Sequence, residues 1–188
     1  MNDEADLVAR VQHGDLQAYE GLVRQHESIA FRTAYLITRD SQDAADVVQD
    51  SFVRAFRAIG SFKLDKPFRP WLLRIVTNQS LNRVRASQRR ANATQRFVRD
   101  ASSSEPSPDD ALAKREQAER LLEALRQLAF NEQILITLRY LLEMPESEVA
   151  ETLAIPLGTV KSRLHRTLGN LRKVIQRDFA DLEELTIE

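Results

Sequence analysis

Apolar side chains recur along most of this chain at intervals of three and four, the period of a helix buried along one side. The spacing predicts a short first helix over Asp3–Val11, ending near His13-Gly14. A second helix, capped by Asp15, runs toward Thr38 with Tyr19, Leu22, Val23, Ile29, Ala30, Ala34 and Ile37 on a broad stripe. Ser41 suits the cap of a third, in which Ala44, Val47, Val48, Phe52, Ala55, Phe56 and Ile59 make the cleanest amphipathic repeat, and Gly60 is read as its stop. After a loop over Ser61–Lys66, Pro67 and Pro70 fit the lead-in and first turn of a fourth helix, because a first-turn proline forfeits no intrahelical bond. That helix carries Trp71, Leu72, Ile75 and Val76, then becomes the polar run NQSLNRVRASQRR.

The pattern then breaks. Residues 100–110, DASSSEPSPDD, hold no large apolar side chain and cannot offset their ordering entropy by burial, so they are read as a flexible acidic tether. Asp109 or Asp110 can cap the next helix, over about Ala111–Ala129, with Leu121, Leu122, Leu125 and Leu128 apolar. Asn131 suits the cap of another, containing Ile134, Leu135, Leu138 and Leu141. Pro145 precedes a short helix over Glu146–Leu153, Ala154-Ile155-Pro156 forms a turn, and Leu157-Gly158-Thr159 opens a last helix whose inward members are Val160, Leu164, Leu168, Leu171 and Ile175. A short helix, a tight turn and a second amphipathic basic helix are the sequence form of a helix-turn-helix. The fold class expected is all-α: a helical domain over 1–99, a linker over 100–110, and a second helical domain over 111–188 that contains the helix-turn-helix.

Composition removes several chemistries. There is no cysteine, so disulfides, thiolate metal sites and thiol nucleophiles are all absent. His13, His26 and His165 are scattered, without the spacing of a metal-binding pair, and no phosphate-binding glycine loop or nucleophile elbow occurs. No enzyme activity and no cofactor are implied. The acidic opening MNDEADLVARV lacks the form of a signal peptide and no apolar run approaches a membrane span, which together point to the cytoplasm.

Charge changes the picture more. The formal net charge is only -1, yet Arg54–Arg99 contains twelve Lys/Arg against one acid, and Lys161–Arg177 contains six against none. Attraction to a polyanion follows the local field, so two basic helices on an otherwise acidic chain mark a nucleic-acid binder that the whole-chain charge conceals. In a helix-turn-helix the second helix enters the major groove with its N-terminal residues nearest the base edges, where Lys161, Ser162, Arg163 and Arg166 stand, with Thr159 at the helix start and His165 a possible phosphate contact. The competing reading for each basic run is a solvated helix face.

With both halves in view, the chain closely resembles the bacterial sigma factors of RNA polymerase, in the small extracytoplasmic-function group. DLVARVQHGDLQAYEGLVRQH is similar to that family's opening, DAADVVQDSFVRAFRAI to its core-polymerase-binding helix, FRPWLLRIVTNQSLNRVRASQRR to the segment that melts and reads the minus-ten promoter element, and IPLGTVKSRLHRTLGNLRK to the minus-thirty-five recognition helix with its lead-in. The resemblance implies core RNA polymerase, promoter DNA as duplex and as melted strand, and an anti-sigma factor, possibly membrane-tethered, as partners. It places Asp46, Val47, Gln49, Asp50, Phe52 and Phe56 on the polymerase-binding helix. Periodicity assigns Val47, Phe52 and Phe56 instead to the buried stripe, leaving Asp46, Gln49 and Asp50 as the contact candidates. For the minus-ten element the resemblance implies Phe68, Trp71, Arg74, Asn78, Asn82, Arg83 and Arg85; Trp71, four before Ile75 on the apolar face, is equally a core residue. Two places depart from the family pattern: Ala154 stands where that turn often has glycine, which would favour left-handed backbone, and Leu142-Glu143-Met144-Pro145 replaces a glycine-containing, Ser/Tyr-bearing approach. The other function class that fits a C-terminal helix-turn-helix is a stand-alone regulator, which would need a receiver or ligand domain that residues 1–99 do not suggest.

Overall fold

Asp15 shows how closely local chemistry fixes the first half of the chain. Its carboxylate accepts from the Gln17 and Ala18 amides at 2.9 and 3.0 Å, capping a helix whose first amides have no partner of their own. Arg10 grips the same carboxylate through Nε at 2.9 Å and Nη2 at 2.7 Å. Between them Gly14 takes φ 93°, a left-handed turn that glycine adopts without a steric penalty. This corner joins α1 (Asp3–Gln12) to α2 (Leu16–Thr38). The computed structural model describes residues 3–94 and 120–179, and every regular element among them is helical.

α3 (Ser41–Ala58) returns against α2, and α4 (Phe68–Thr94) closes the group. Their shared core contains Leu22, Val47, Phe52, Phe68, Leu72 and Val76, all buried, with Val8 of α1 laid over it. Two local expectations are corrected here. The α3 cap is Asp40, whose Oδ1 accepts from the Asp43 amide at 2.7 Å, so Ser41 becomes the first helical residue. Gly60 does not stop the helix by a left-handed turn; the chain tightens into a 3-10 turn over Ile59–Ser61. Gln12 Nε2 fixes that turn by donating to the Ile59 and Phe62 carbonyls at 2.8 and 2.9 Å.

The second group comprises α5 (120–126), α6 (Phe130–Ile136), which continues into a π turn over Thr137–Leu141, α7 (Glu146–Leu153) and α8 (Leu157–Asp178). α6 starts two residues earlier than Asn131 would allow as a cap, at Phe130 with Ala129 as its cap, where the Glu132 carboxylate reaches back to the Ala129 amide at 3.0 Å. The tether 100–110, the caps at Asp109 or Asp110 and the predicted helix start at Ala111 lie outside the described residues.

The two groups touch. α7 packs on α4, and Leu73, beside the stripe of Leu72 and Val76, is fully buried in a cluster with Leu138, Met144 and Val149. Arg32 of α2 donates to the Leu141 carbonyl at 2.7 Å.

α1, α2 and α4 also meet at a buried polar point. Glu4 Oε1 lies 2.8 Å from His26 Nε2, while Glu4 Oε2 accepts from the Phe68 amide at 3.3 Å. Burial pushes the His26 imidazole below its ordinary value, the Glu4 carboxylate opposes this only in part, and Arg69 adds to the depression. A histidine held down in the fold contributes stability above its unfolded value and loses it as pH falls through the folded one. The urea midpoint should therefore drop between pH 7.5 and pH 5 more steeply for the natural chain than for His26→Gln, which keeps a donor to Glu4 but cannot titrate; equal slopes would contradict this.

Candidate nucleic-acid interface

α4 turns a polar row to solvent. Arg74, Asn78, Asn82 and Arg85 are all exposed and stand three or four residues apart, so they line one face of the helix. At the start of this row, Trp71 is half-buried, with its ring centroid 5.0 Å from Phe62 and 5.4 Å from Phe68. It also lines a cleft of about 310 Å³ together with Lys63, Lys66, Arg74 and, from the other half of the chain, Glu151. Packing and exposure to the cleft thus belong to the same tryptophan. Phe68, only 1% exposed, is a core residue behind it, because its ring is enclosed by Phe62, Trp71 and His26. The expectation of a direct DNA contact at Phe68 is corrected to a supporting role.

Arg83 differs from its neighbours. Its guanidinium reaches across to α3, with Nη2 2.6 Å from Asp43 Oδ1 and 3.1 Å from Asp46 Oδ2. Asp43 first and Asp46 second hold the guanidinium even further above its ordinary value. The expectation of Arg83 as a free DNA contact is revised: it braces α3 against α4, and it occupies part of Asp46.

On α3 itself, Val47 and Phe52 lie in the core, which corrects their implied contact role; α3 must bury them to pack on α2 and α4. Phe56 runs the other way. It is 40% exposed and rests on Tyr19 at 4.9 Å, at the rim rather than inside. Asp46 is half-exposed, and Gln49 and Asp50 face solvent. Beside them Phe31, Val48 and Gln49 line a shallow groove between α2 and α3. Phe31, stacked on Tyr35 with a 9° interplanar angle, escaped the sequence reading because it lies off the α2 stripe. The available signal was two aromatic residues four apart on the polar side of a helix.

In the second half, the α7–α8 corner has helix-turn-helix form. Ala154 takes φ 54°, ψ 45°, and the Ile155 amide returns to the Ala150 carbonyl at 3.0 Å. Glu143 is also left-handed, at φ 54°. Both sequence departures therefore adopt the backbone that glycine would favour, at a steric cost of about 1–2 kcal/mol per residue. In α8, Val160 and Leu164 are buried, while Lys161, Ser162, Arg163, His165 and Arg166 are exposed and Thr159 is half-buried. The Ser162 hydroxyl donates to the Thr159 carbonyl at 3.1 Å.

Comparison with known proteins matches this layout. The family model for sigma-70 region 2 covers residues 22–90, and that for sigma-70 region 4 covers residues 118–171. The RNA polymerase sigma-H factor of Pseudomonas aeruginosa is 30% identical over 181 residues, 92% of this chain and 94% of its own. The ECF RNA polymerase sigma-E factor of Escherichia coli K12 is 36% identical over 182 residues, 90% of this chain and 93% of its own.

The chain belongs to the sigma-70 family, in its ECF group.

The structure of CnrH in complex with the cytosolic domain of CnrY is similar at 26% identity and a TM-score of 0.69, covering 94% of this chain and 99% of that one. As a sigma factor this chain is a specificity subunit of RNA polymerase without catalysis of its own. Among the described residues no helix is long and apolar enough to cross a membrane, and no group of three His, Cys, Asp or Glu is placed to hold a metal.

Replacing Ala154 with glycine relieves the left-handed strain but loosens the unfolded chain, leaving a net gain of about 0.5–1 kcal/mol. A higher urea midpoint at unchanged slope would register it. A lower midpoint would mean that the alanine methyl packs to advantage in the turn.

Proposed function

We propose that this sigma factor reads promoters with two helices and meets core polymerase with a third. The exposed row Arg74, Asn78, Asn82 and Arg85, with the Trp71 cleft at its head, takes the minus-ten element as melted strand. Lys161, Ser162, Arg163 and Arg166, with Thr159 at the helix start and His165 alongside, take the minus-thirty-five element as duplex. The observation that carries this reading is the arrangement of each basic set as a solvent-facing row on its own helix, above an apolar row that fills the core.

The chemistry suits the two tasks. Melting a promoter without nucleotide hydrolysis needs binding energy spent selectively on unpaired bases. A cleft with one indole wall and three cations, Lys63, Lys66 and Arg74, offers stacking worth roughly 1–3 kcal/mol per base together with phosphate attraction. α8 offers planar and point cations for guanine edges and phosphates in a major groove. Asp46 and Asp50 present acid, and Gln49 an amide, to a basic surface of the polymerase, where such complementarity governs encounter and specificity. The domain division follows the same lines: 1–99 for polymerase and the minus-ten element, 100–110 as tether, and 111–188 for the minus-thirty-five element. Because CnrH forms a complex with the cytosolic domain of CnrY, we assign this chain a protein partner as well, an anti-sigma factor.

The direct test is to mix the purified chain with core RNA polymerase from its own host and map transcription starts on fragmented genomic DNA at fixed salt. Discrete starts that require both proteins are expected, and aligning the sequences upstream of them gives the promoter elements. No core binding, no new starts and duplex binding through 111–188 alone would mark a stand-alone regulator instead. A pair of variants separates the surfaces. Arg163→Ala should lose about 1–3 kcal/mol of duplex affinity with core binding intact. Asp50→Arg should weaken core binding in a competition assay and leave duplex affinity unchanged.

A further inference from the structure

α1 carries none of the side chains assigned above to polymerase or DNA, yet it holds both ends of one exposed loop. Between the 3-10 turn at Ile59–Ser61 and the start of α4 at Phe68, residues 63–67 all face solvent. The Lys66 amide donates to the Lys63 carbonyl at 3.0 Å, the turn that shapes them. Phe62 and Phe68, buried on either side, anchor the loop to the core. At the first anchor Gln12 Nε2 donates to the Ile59 and Phe62 carbonyls at 2.8 and 2.9 Å. At the second, the opening amide of α4 follows Pro67, which has no side-chain oxygen to cap it. Glu4 supplies that acceptor from another helix, with Oε2 3.3 Å from the Phe68 nitrogen. His26 Nε2, 2.8 Å from Glu4 Oε1, keeps the carboxylate in place. The loop is also a thin wall. Phe62, Lys66 and Pro67 line the Trp71 cleft on one side and, on the other, a cavity of about 320 Å³ backed by Glu4, Ala5 and Val8. With a cavity behind it the loop gains little support from packing, so its position depends on its two ends. Lys63 and Lys66, two of the three cations of the cleft, ride on it.

We propose that Glu4 and Gln12 are positioning residues for the minus-ten element: α1 brackets the loop at both ends and so holds Lys63 and Lys66 beside Trp71 and Arg74 in the geometry that receives melted strand. This rests on the assignment of the Trp71 cleft to that element. Released at either end, the loop swings toward the cavity behind it, and the fraction of chains with a formed cleft falls. Apparent strand affinity is the intrinsic affinity scaled by that fraction, so it falls in proportion. α1 thereby acts in promoter reading without touching DNA.

The test uses the full chain in complex with core polymerase from its host, and two fragments of a promoter taken from the mapped starts. One fragment ends with the minus-ten element as single strand; the other is cut before that element and keeps only the upstream duplex. Gln12→Met removes the donor without changing charge, and Glu4→Ala removes the acceptor. Ile37→Val, at a buried site about 16 Å along α2 from His26, is the control for lost stability alone. Each bracket variant should bind the first fragment about fivefold more weakly, as for a formed fraction falling from nearly one to about a fifth, and the second unchanged. Ile37→Val, though it lowers the urea midpoint, should bind both like the natural chain. With Lys63→Ala and Lys66→Ala already in place, the loss from Gln12→Met should vanish, because its route runs through the loop cations. Unchanged binding of the first fragment by Gln12→Met overturns the proposal. So does an equal loss on both fragments, a like loss in Ile37→Val, or a loss that persists in full without the loop cations. The natural complex keeps the two claims apart. If no starts are mapped, or if it binds both fragments equally, the minus-ten assignment falls and the bracket with it. A preference for the first fragment that Gln12→Met leaves intact condemns the bracket alone.

Discussion

A soluble helix usually shows a core one apolar stripe; α4 shows two. Phe68, Leu72 and Val76 close the N-terminal core, while Leu73, on the adjacent side, enters the core of the other half. Much else follows from that double burial. It fixes the rotation of α4, and so decides that Arg74, Asn78, Asn82 and Arg85 are among the residues left for solvent. It sets α7 over the head of the helix, which brings Glu148 to Arg69 and Glu151 to the Trp71 cleft. Burial also pushes the Glu148 carboxyl above its ordinary value despite the guanidinium beside it, the electrostatic cost of placing an acid at an apolar boundary.

The helices and their inward faces were legible in the sequence because each stripe has the period of the structure that buries it. Most of the α2, α3 and α8 stripes pack as read, Phe56 at the rim and Ile29 against the other half excepted, and the Asp15 cap is in place. What escaped has physical reasons. Leu73 sits beside Leu72 in sequence, and a one-stripe reading has no place for a second apolar face. Caps slipped by a residue or two where a neighbouring side chain competed, as Asp40 did with Ser41 and Glu132 did around Asn131. Left-handed backbone at Ala154 was signalled only by the family's usual glycine, and at Glu143 not at all, because residue type argues against it and the tertiary corner demands it.

The candidate surfaces were legible as helices more than as residues. Family likeness marks a segment, whereas contact belongs to side chains that reach solvent, and burial sorts one from the other. Val47, Phe52 and Phe68 carry the shape of the surface from beneath, and Gln49, Asp50 and the α4 row carry its chemistry. Arg83 falls between these classes. By gripping Asp43 and Asp46 it ties α3 to α4, so the two helices resist sliding past each other.

The far end of α4 has a further consequence. At 27 residues the helix is about 40 Å long, and its exposed side carries Arg85 and Arg89 one turn apart. Like charges at that spacing oppose the helix that displays them by a few tenths of a kcal/mol. A line of phosphates laid along the same side turns the repulsion into shared attraction, so contact with a polyanion stiffens the very rod that makes it. The protein there resembles a pen clip under slight tension, straightest when something is held against it.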